Sequence, residues 1–217
     1  MKRMTLLAKR PDLSTSDFRQ YWAGPHGNLA LEMNGISRYT QNRIEKILWT
    51  RNGIPSFTVD GIVELWFDSE NAMRQAQASS IGSVHIPADE LNFLKGWTLC
   101  IVDETNLTDI ESKVKVIVPL VIDSTTNRET VEASVFKAVE SIGNKGDVSA
   151  SFNWTISHAR RERLWCEPIA PSGFAVFGFS NLKDAHDTFV SGGIIATALT
   201  NSVTEATAYL VNQLKIR

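Results

Sequence analysis

The sequence predicts an α+β fold built from two ferredoxin-like halves, each β-α-β-β-α-β, packed sheet to sheet. Three observations lead there. The order of hydrophobic periodicities along the first half recurs along the second. Laying Gly61 on Gly173 superposes IVELWF on FAVFGF, and each is followed closely by a polar helix start, SENAM against NLKDA. The chain has 217 residues, 43% hydrophobic and 21% charged, enough for two core-bearing units of roughly 100 residues each. A βαββαβ unit leaves one sheet face without helices, and a second copy is its natural cover. The boundary is expected near Thr108–Lys113, giving units 1–110 and 111–217. That junction lacks the Gly/Pro/Ser run of a flexible linker.

Element by element, Met4–Lys9 reads as a short strand. Ser14 then caps a helix with Asp17 three residues on, the spacing that satisfies the first free amides. Phe18, Trp22, Leu29 and Met33 form its apolar stripe, which ends near Asn34-Gly35. Arg38–Trp49 is a strand, Arg51–Thr58 a loop, Asp60–Asp68 an apolar strand and Glu70–Ala78 a helix. A loop follows, then a strand over Trp97–Val102. In the second half Val114–Ile122 is a strand that Pro119 marks as an edge or a bulge. Arg128–Ile142 is an amphipathic helix with Val131, Val135, Val139 and Ile142 on one face. Ser151–Arg160 alternates with a period of two, Gly173–Phe179 is apolar, a helix runs near Lys183–Val190, and Glu205–Leu214 is the last strand.

Composition removes several classes of function. A net charge of -2, with basic and acidic residues interspersed, gives no face for a nucleic-acid backbone. The opening MKRMTLLAKR has too short an apolar run for a secretory leader, and Ser191–Thr204 is too short and polar to span a bilayer. Cys100 and Cys166 stand far apart, as reduced thiols of a cytoplasmic protein would. No GxGxxG, P-loop, HExxH or GxSxG is present, and His26, His85, His158 and His186 have no metal-ligand spacing, so no metal or nucleotide is expected. His85 falls in the expected loop, His186 on a polar helix face, and His158 beside Trp154 as a core or interface residue.

Chemistry concentrates in three places. In FRQYWAGPHGNLA (18–30), Pro25 removes the amide that the Tyr21 carbonyl would accept and Gly24 loosens the backbone, so the helix should bend or restart before His26. His26 is either a general acid/base or a half-exposed ring held by a nearby carbonyl or carboxylate. Glu64 is the single charge within GIVELWF, on a central strand. Its burial either raises its pKa and suits it to proton transfer, or is balanced by Arg38, Arg43 or Lys9. In the run Tyr39-Thr40-Gln41-Asn42-Arg43, alternation puts Tyr39, Gln41 and Arg43 on one face and Thr40, Asn42 and Ile44 on the other, for ligand hydrogen bonds or cross-strand pairs.

Together F-x-x-YW-x-x-x-HG-x-LA, RY-x-QN and DG-x-x-ELWFD, spanning roughly Met4 to Val102, resemble the EthD family of dimeric α+β barrel proteins. The second half matches only in element order. Members are usually single units that dimerise, so a tandem copy implies a barrel closed within one chain, a homodimer remaining an option. The resemblance implies a pocket between sheet and helix, no bound metal or organic cofactor, and a small apolar oxygenated or aromatic substrate. The implied activity is of an oxidoreductase, isomerase or cyclase/decarboxylase type, or else non-catalytic binding by an accessory protein of a degradation pathway. His26 matches the family's histidine and is implied as general acid/base, with Glu64 as its partner across a shared dry hollow. Tyr39 or Asn42 would polarise a substrate oxygen, Trp22 and Trp66 would form apolar walls, and Tyr21 would complete the substrate site.

Overall fold

The computed structural model describes residues 1–105, 112–142 and 148–217. Eight strands form one closed barrel in the order β1-β3-β2-β8-β5-β7-β6-β4. They are β1 (Lys2–Lys9), β2 (Ile36–Thr50), β3 (Gly61–Phe67), β4 (Leu94–Thr105), β5 (Val114–Val121), β6 (Val148–Arg160), β7 (Gly173–Phe179) and β8 (Glu205–Lys215). The first four pair as β4-β1-β3-β2 and the last four as β6-β7-β5-β8, both the antiparallel order of a ferredoxin-like unit. The seams are β2–β8, from Thr40↔Lys215 to Thr50↔Thr207, and β4–β6, from Thr98↔Arg160 to Thr105↔Phe152. Among the described residues, closure leaves no strand edge unpaired. The junction expected near Thr108–Lys113 lies largely outside the described residues.

Strand alternation divides the molecule into three cores. Met4, Leu6, Ile62, Cys100, Ile117, Phe174 and Tyr209 fill the barrel. Outside it, one helical layer packs on each half. The first layer holds α1 (Thr15–Tyr21), a π turn over Trp22–His26, α2 (Gly27–Leu31), α3 (Glu70–Ala78), a second π turn over Ile81–His85, and α4 (Ile86–Glu90). The second holds α5 (Arg128–Glu140), α6 (Leu182–Phe189) and α7 (Ile194–Thr200). Ser14, Ser69 and Asn181 cap their helices by accepting the amides of Asp17, Ala72 and Asp184. Gly35, at φ 83°, turns the chain after α2 where any Cβ would lie 2.9 Å from that of Ala72.

Several expectations are corrected. The segment after Ala78, expected as a loop, is helical over 81–90, so His85 lies in a π turn. Its short apolar run Ile81, Val84, Ile86 is broken by Gly82 and Pro87, which hid the period. Ser191–Thr204 contains α7, whose Ile195, Ala196 and Leu199 are buried. Pro119 sits within a central strand, paired to Phe174 on β7, while the in-register β5–β8 ladder skips Val118 and Pro119. The missing amide is thereby accommodated without an edge. His158 is exposed, because β6 runs past the cover of α5 after Trp154.

Candidate active site between the first sheet and its helices

On β1 the residues Arg3, Thr5 and Leu7 point toward the helices, joined there by Val63 and Leu65 of β3, Tyr39 of β2 and Leu99 of β4. Between this surface and the helical layer is a cavity of about 400 Å³. His26, Ala30, Met33, Ile86 and Glu90 close it from the helix side, and Ala159, Arg160 and Arg161 at the end of β6 form its rim. The second half therefore contributes one wall to a cavity of the first.

The Pro25 bend is what brings His26 there. A π turn bonds back five residues rather than four, so the His26 amide can replace the donor that Pro25 lacks. The Trp22 carbonyl, displaced by the widened turn, accepts the buried Gln41 side-chain amide at 2.7 Å. The imidazole, its side chain only 10% exposed, rests on Phe93 with ring centroids 4.8 Å apart. Its Nδ1 is 2.7 Å from Asp89 Oδ2. The Tyr21 hydroxyl donates to Asp89 Oδ1 at 2.7 Å and accepts from Asn92 at 3.0 Å. Burial alone would push Asp89 up, but the hydrogen bonds from His26 and Tyr21 outweigh it and hold the carboxyl below its ordinary value. Glu90, next in sequence, is raised by burial although Arg161 grips it through Nε at 2.7 Å and Nη2 at 3.3 Å. The Tyr39 phenol, pushed up to about 12 by burial, accepts from Gln41 Nε2 at 2.9 Å and keeps its own hydrogen to donate.

A second cavity, about 660 Å³, opens at one end of the barrel interior. Glu64 lies on its wall, 2% exposed. Lys2 Nζ is 3.0 Å from its Oε1, Lys115 pairs with its Oε2, and Asn42 donates to Oε2 at 2.9 Å. Burial opposes ionisation, but the two ammonium groups and the Asn42 amide prevail, and the carboxyl is held well below the ordinary range. Lys2 also reaches Glu104 at 2.6 Å, and the Arg38 guanidinium lies 3.5 Å from the Trp66 ring centroid.

Residues 10–96 match the family model of the EthD domain. Among solved structures, an anthrone oxidase-like protein superposes with a TM-score of 0.66 at 7% identity, over 99% of this chain and 92% of its own. A monooxygenase-like protein from Lactobacillus acidophilus gives 0.53 at 10% identity, over 100% and 93%. A chlorite dismutase variant from Candidatus Nitrospira defluvii gives 0.51 at 9%, over 97% and 90%. At these identities the likeness concerns the fold. No curated protein matches the sequence. Among the described residues no helix is long and apolar enough to cross a membrane, and no group of three or more His, Cys, Asp or Glu is placed to hold a metal ion.

Within the first half, the expected site residues separate into two groups. His26, Tyr21 and Tyr39 come together around the helix-side cavity, Tyr21 acting through Asp89. Glu64, Asn42 and Trp66 face the barrel interior instead. The shared hollow expected for His26 and Glu64 does not exist, because Val63 and Leu65 take the helix-facing positions of β3 and alternation sends Glu64 through the sheet. The expected rise in the Glu64 pKa is reversed by two lysines, neither among the partners anticipated from sequence. Trp22 is fully buried against Phe18 and over Gly61, where a Cβ would meet its ring at 2.5 Å; it is core rather than cavity wall. The missed residues are Asp89, Glu90, Asn92, Arg161 and Arg3. The first three lie in the segment taken for a loop, and Arg161 comes from the other half. Arg3 alone left a trace, a charge preceding Met4-Thr5-Leu6-Leu7 in an apolar strand.

Proposed function

We propose that this protein is an enzyme that binds a small, mostly apolar carbonyl compound in the helix-side cavity of its EthD half and moves a proton on it through His26. The Asp89–His26 contact carries this reading. An ionised Asp89 accepts from Nδ1, which fixes the hydrogen there and leaves Nε2 as the basic nitrogen. A carbon acid beside a carbonyl would give its proton to Nε2, and the electron pair left by the C–H bond would move to the carbonyl oxygen. The Tyr39 hydroxyl, kept protonated by burial, is the donor for that oxygen. Return of the proton to the same or a conjugated carbon completes an exchange or an isomerisation with atoms and charge balanced. Tyr21 and Asn92 position Asp89 rather than touching substrate.

The test uses 2-tetralone, a bicyclic ketone with acidic C–H bonds, in deuterated buffer, with exchange followed by proton NMR. The protein should accelerate exchange above buffer, and His26→Gln should lower the rate about 10²- to 10⁴-fold, the usual contribution of a positioned general base, while the ketone still quenches tryptophan fluorescence. Exchange no faster than buffer, or undiminished in His26→Gln, overturns the reading and leaves a binding protein.

A further inference from the structure

Arg3 stands apart from the other buried charges. It is 8% exposed, yet none of its guanidinium nitrogens makes a hydrogen bond among the described residues, and its Nε is shut off from water without a partner. Its side-chain contact is the face of Phe67, 5.7 Å from the ring centroid. A buried guanidinium normally has a carboxylate or several carbonyls in its fork. The nearby carboxylate, Glu90, is already taken by both arms of Arg161. Arg3 and Arg161 thus face one carboxylate, on a cavity whose wall combines Thr5, His26 and, at its rim, Arg160 with apolar groups such as Leu7, Met33, Val63 and Leu65.

The fold does not ask for this charge. Arg3 pairs with Leu65 and Leu7 with Gly61, as Val116 pairs with Phe177 and Leu120 with Gly173. Val116 is the counterpart of Arg3 in the second half, fully buried and apolar. The Arg161–Glu90 pair displays, within the same cavity, the bidentate bond that Arg3 lacks.

We propose that Arg3 receives the carboxylate of an aromatic or alicyclic keto acid, whose ketone is the carbonyl served by His26, and that such acids are the substrate class of the His26 cavity. This rests on the reading of that cavity as a substrate site. Burial and Arg161 lower the Arg3 pKa to about 10, with Glu90 opposing, so the guanidinium stays charged at neutral pH. A planar fork facing an apolar space selects a carboxylate in two bonds and orients the ring bearing it toward His26.

The experiment titrates the full-length protein with 2-naphthoate and with the neutral 2-naphthalenemethanol at pH 7.5, by calorimetry. The wild type should bind naphthoate about 10- to 100-fold more tightly, the range of a charge-assisted bond over a neutral one. Arg3→Val, which copies Val116, should bind both alike. Arg3→Met repeats the test with a longer uncharged side chain should the valine variant fold poorly. His26→Gln should keep the naphthoate preference. A wild type that does not discriminate, or an uncharged Arg3 variant that still does, overturns the assignment. Tetralone exchange without a naphthoate preference sinks this inference and spares the proton-transfer reading; a preference without exchange does the reverse.

Discussion

The two helix-facing sheet surfaces have the same strand order and opposite contents. On the first half β1 presents Arg3, Thr5 and Leu7, and Tyr39 and Gln41 rise from β2. On the second, β5 presents Val116, Val118 and Leu120, β6 presents Phe152 and Trp154, and β7 presents Phe177 and Phe179. Phe152 stacks on Trp154 at 5.4 Å, and Phe177 meets Phe189 of α6 edge-on at 5.4 Å. The second surface is filled by rings; the first leaves a cavity and sets polar groups around it. A duplicated fold has here kept one layer as core and opened the other. The difference lies in side chains at matched register, not in backbone order.

The sharpest way to break this comparison is to exchange matched positions. Val116→Arg places a guanidinium at a fully buried site among the rings and aliphatic side chains of the second layer, and should cost about 3–5 kcal/mol or prevent folding. Arg3→Val should be neutral or stabilising. Urea denaturation followed by circular dichroism measures both. Equal losses at the two sites would mean that Arg3 supports the fold.

A smaller effect separates the barrel interior from both layers. Glu64→Gln leaves Lys115 and Lys2 buried beside a neutral amide and should cost about 3 kcal/mol at pH 7. The sign with pH follows from the depressed carboxyl. Its stabilisation is fully present above the ordinary value of 4.5 and is lost as pH falls below it toward the lower folded value. The gap between wild type and Glu64→Gln should therefore be widest near neutrality and shrink on acidification below about pH 4.5. A gap independent of pH would mean that the cost is steric. Val176 holds the matched position in the second half, so the acid answers to its lysines rather than to the fold.

How much of this was legible in the sequence varies with the range of the interaction. Gly61–Phe67 and Gly173–Phe179 followed from apolar runs bounded by turns, and the Ser14 cap from a three-residue spacing, because these are local. The two faces of β2 were likewise legible from period two, as Tyr39 and Gln41 against Asn42 show. The face of Glu64 was not, since a central strand is apolar on both sides and alternation fixes opposition without saying which side is inward. Lys115 meets Glu64 only through closure of the barrel, and Arg161 meets Glu90 only because β6 reaches across the seam. Asp89 was hidden by a π turn and a proline-bearing helix too short for a recognisable stripe.

The finest probe of the comparison is Asp89, because it should act on chemistry while hardly touching stability. Its side chain is partly exposed, at 16% against 2% for that of Glu64, so solvent screens its charge and Asp89→Asn should cost no more than about 1 kcal/mol. What stability it does lend is present above its ordinary value of 3.8 and fades as pH falls below it, because its folded value is depressed. The asparagine can still meet Nδ1, but as donor or acceptor, so the tautomer is no longer fixed and Nε2 is basic for only part of the time. Tetralone exchange should fall about 10- to 100-fold, less than in His26→Gln. Naphthoate affinity should stay within about threefold, since Arg3 rather than Asp89 holds the anion. Nitrogen-15 shifts of the His26 ring should show the proton on Nδ1 in the wild type and divided between Nδ1 and Nε2 in Asp89→Asn. A ring that stays wholly Nδ1-protonated in Asp89→Asn would mean that the surrounding apolar wall, and not the carboxylate, sets the tautomer; the two layers would then differ in shape alone.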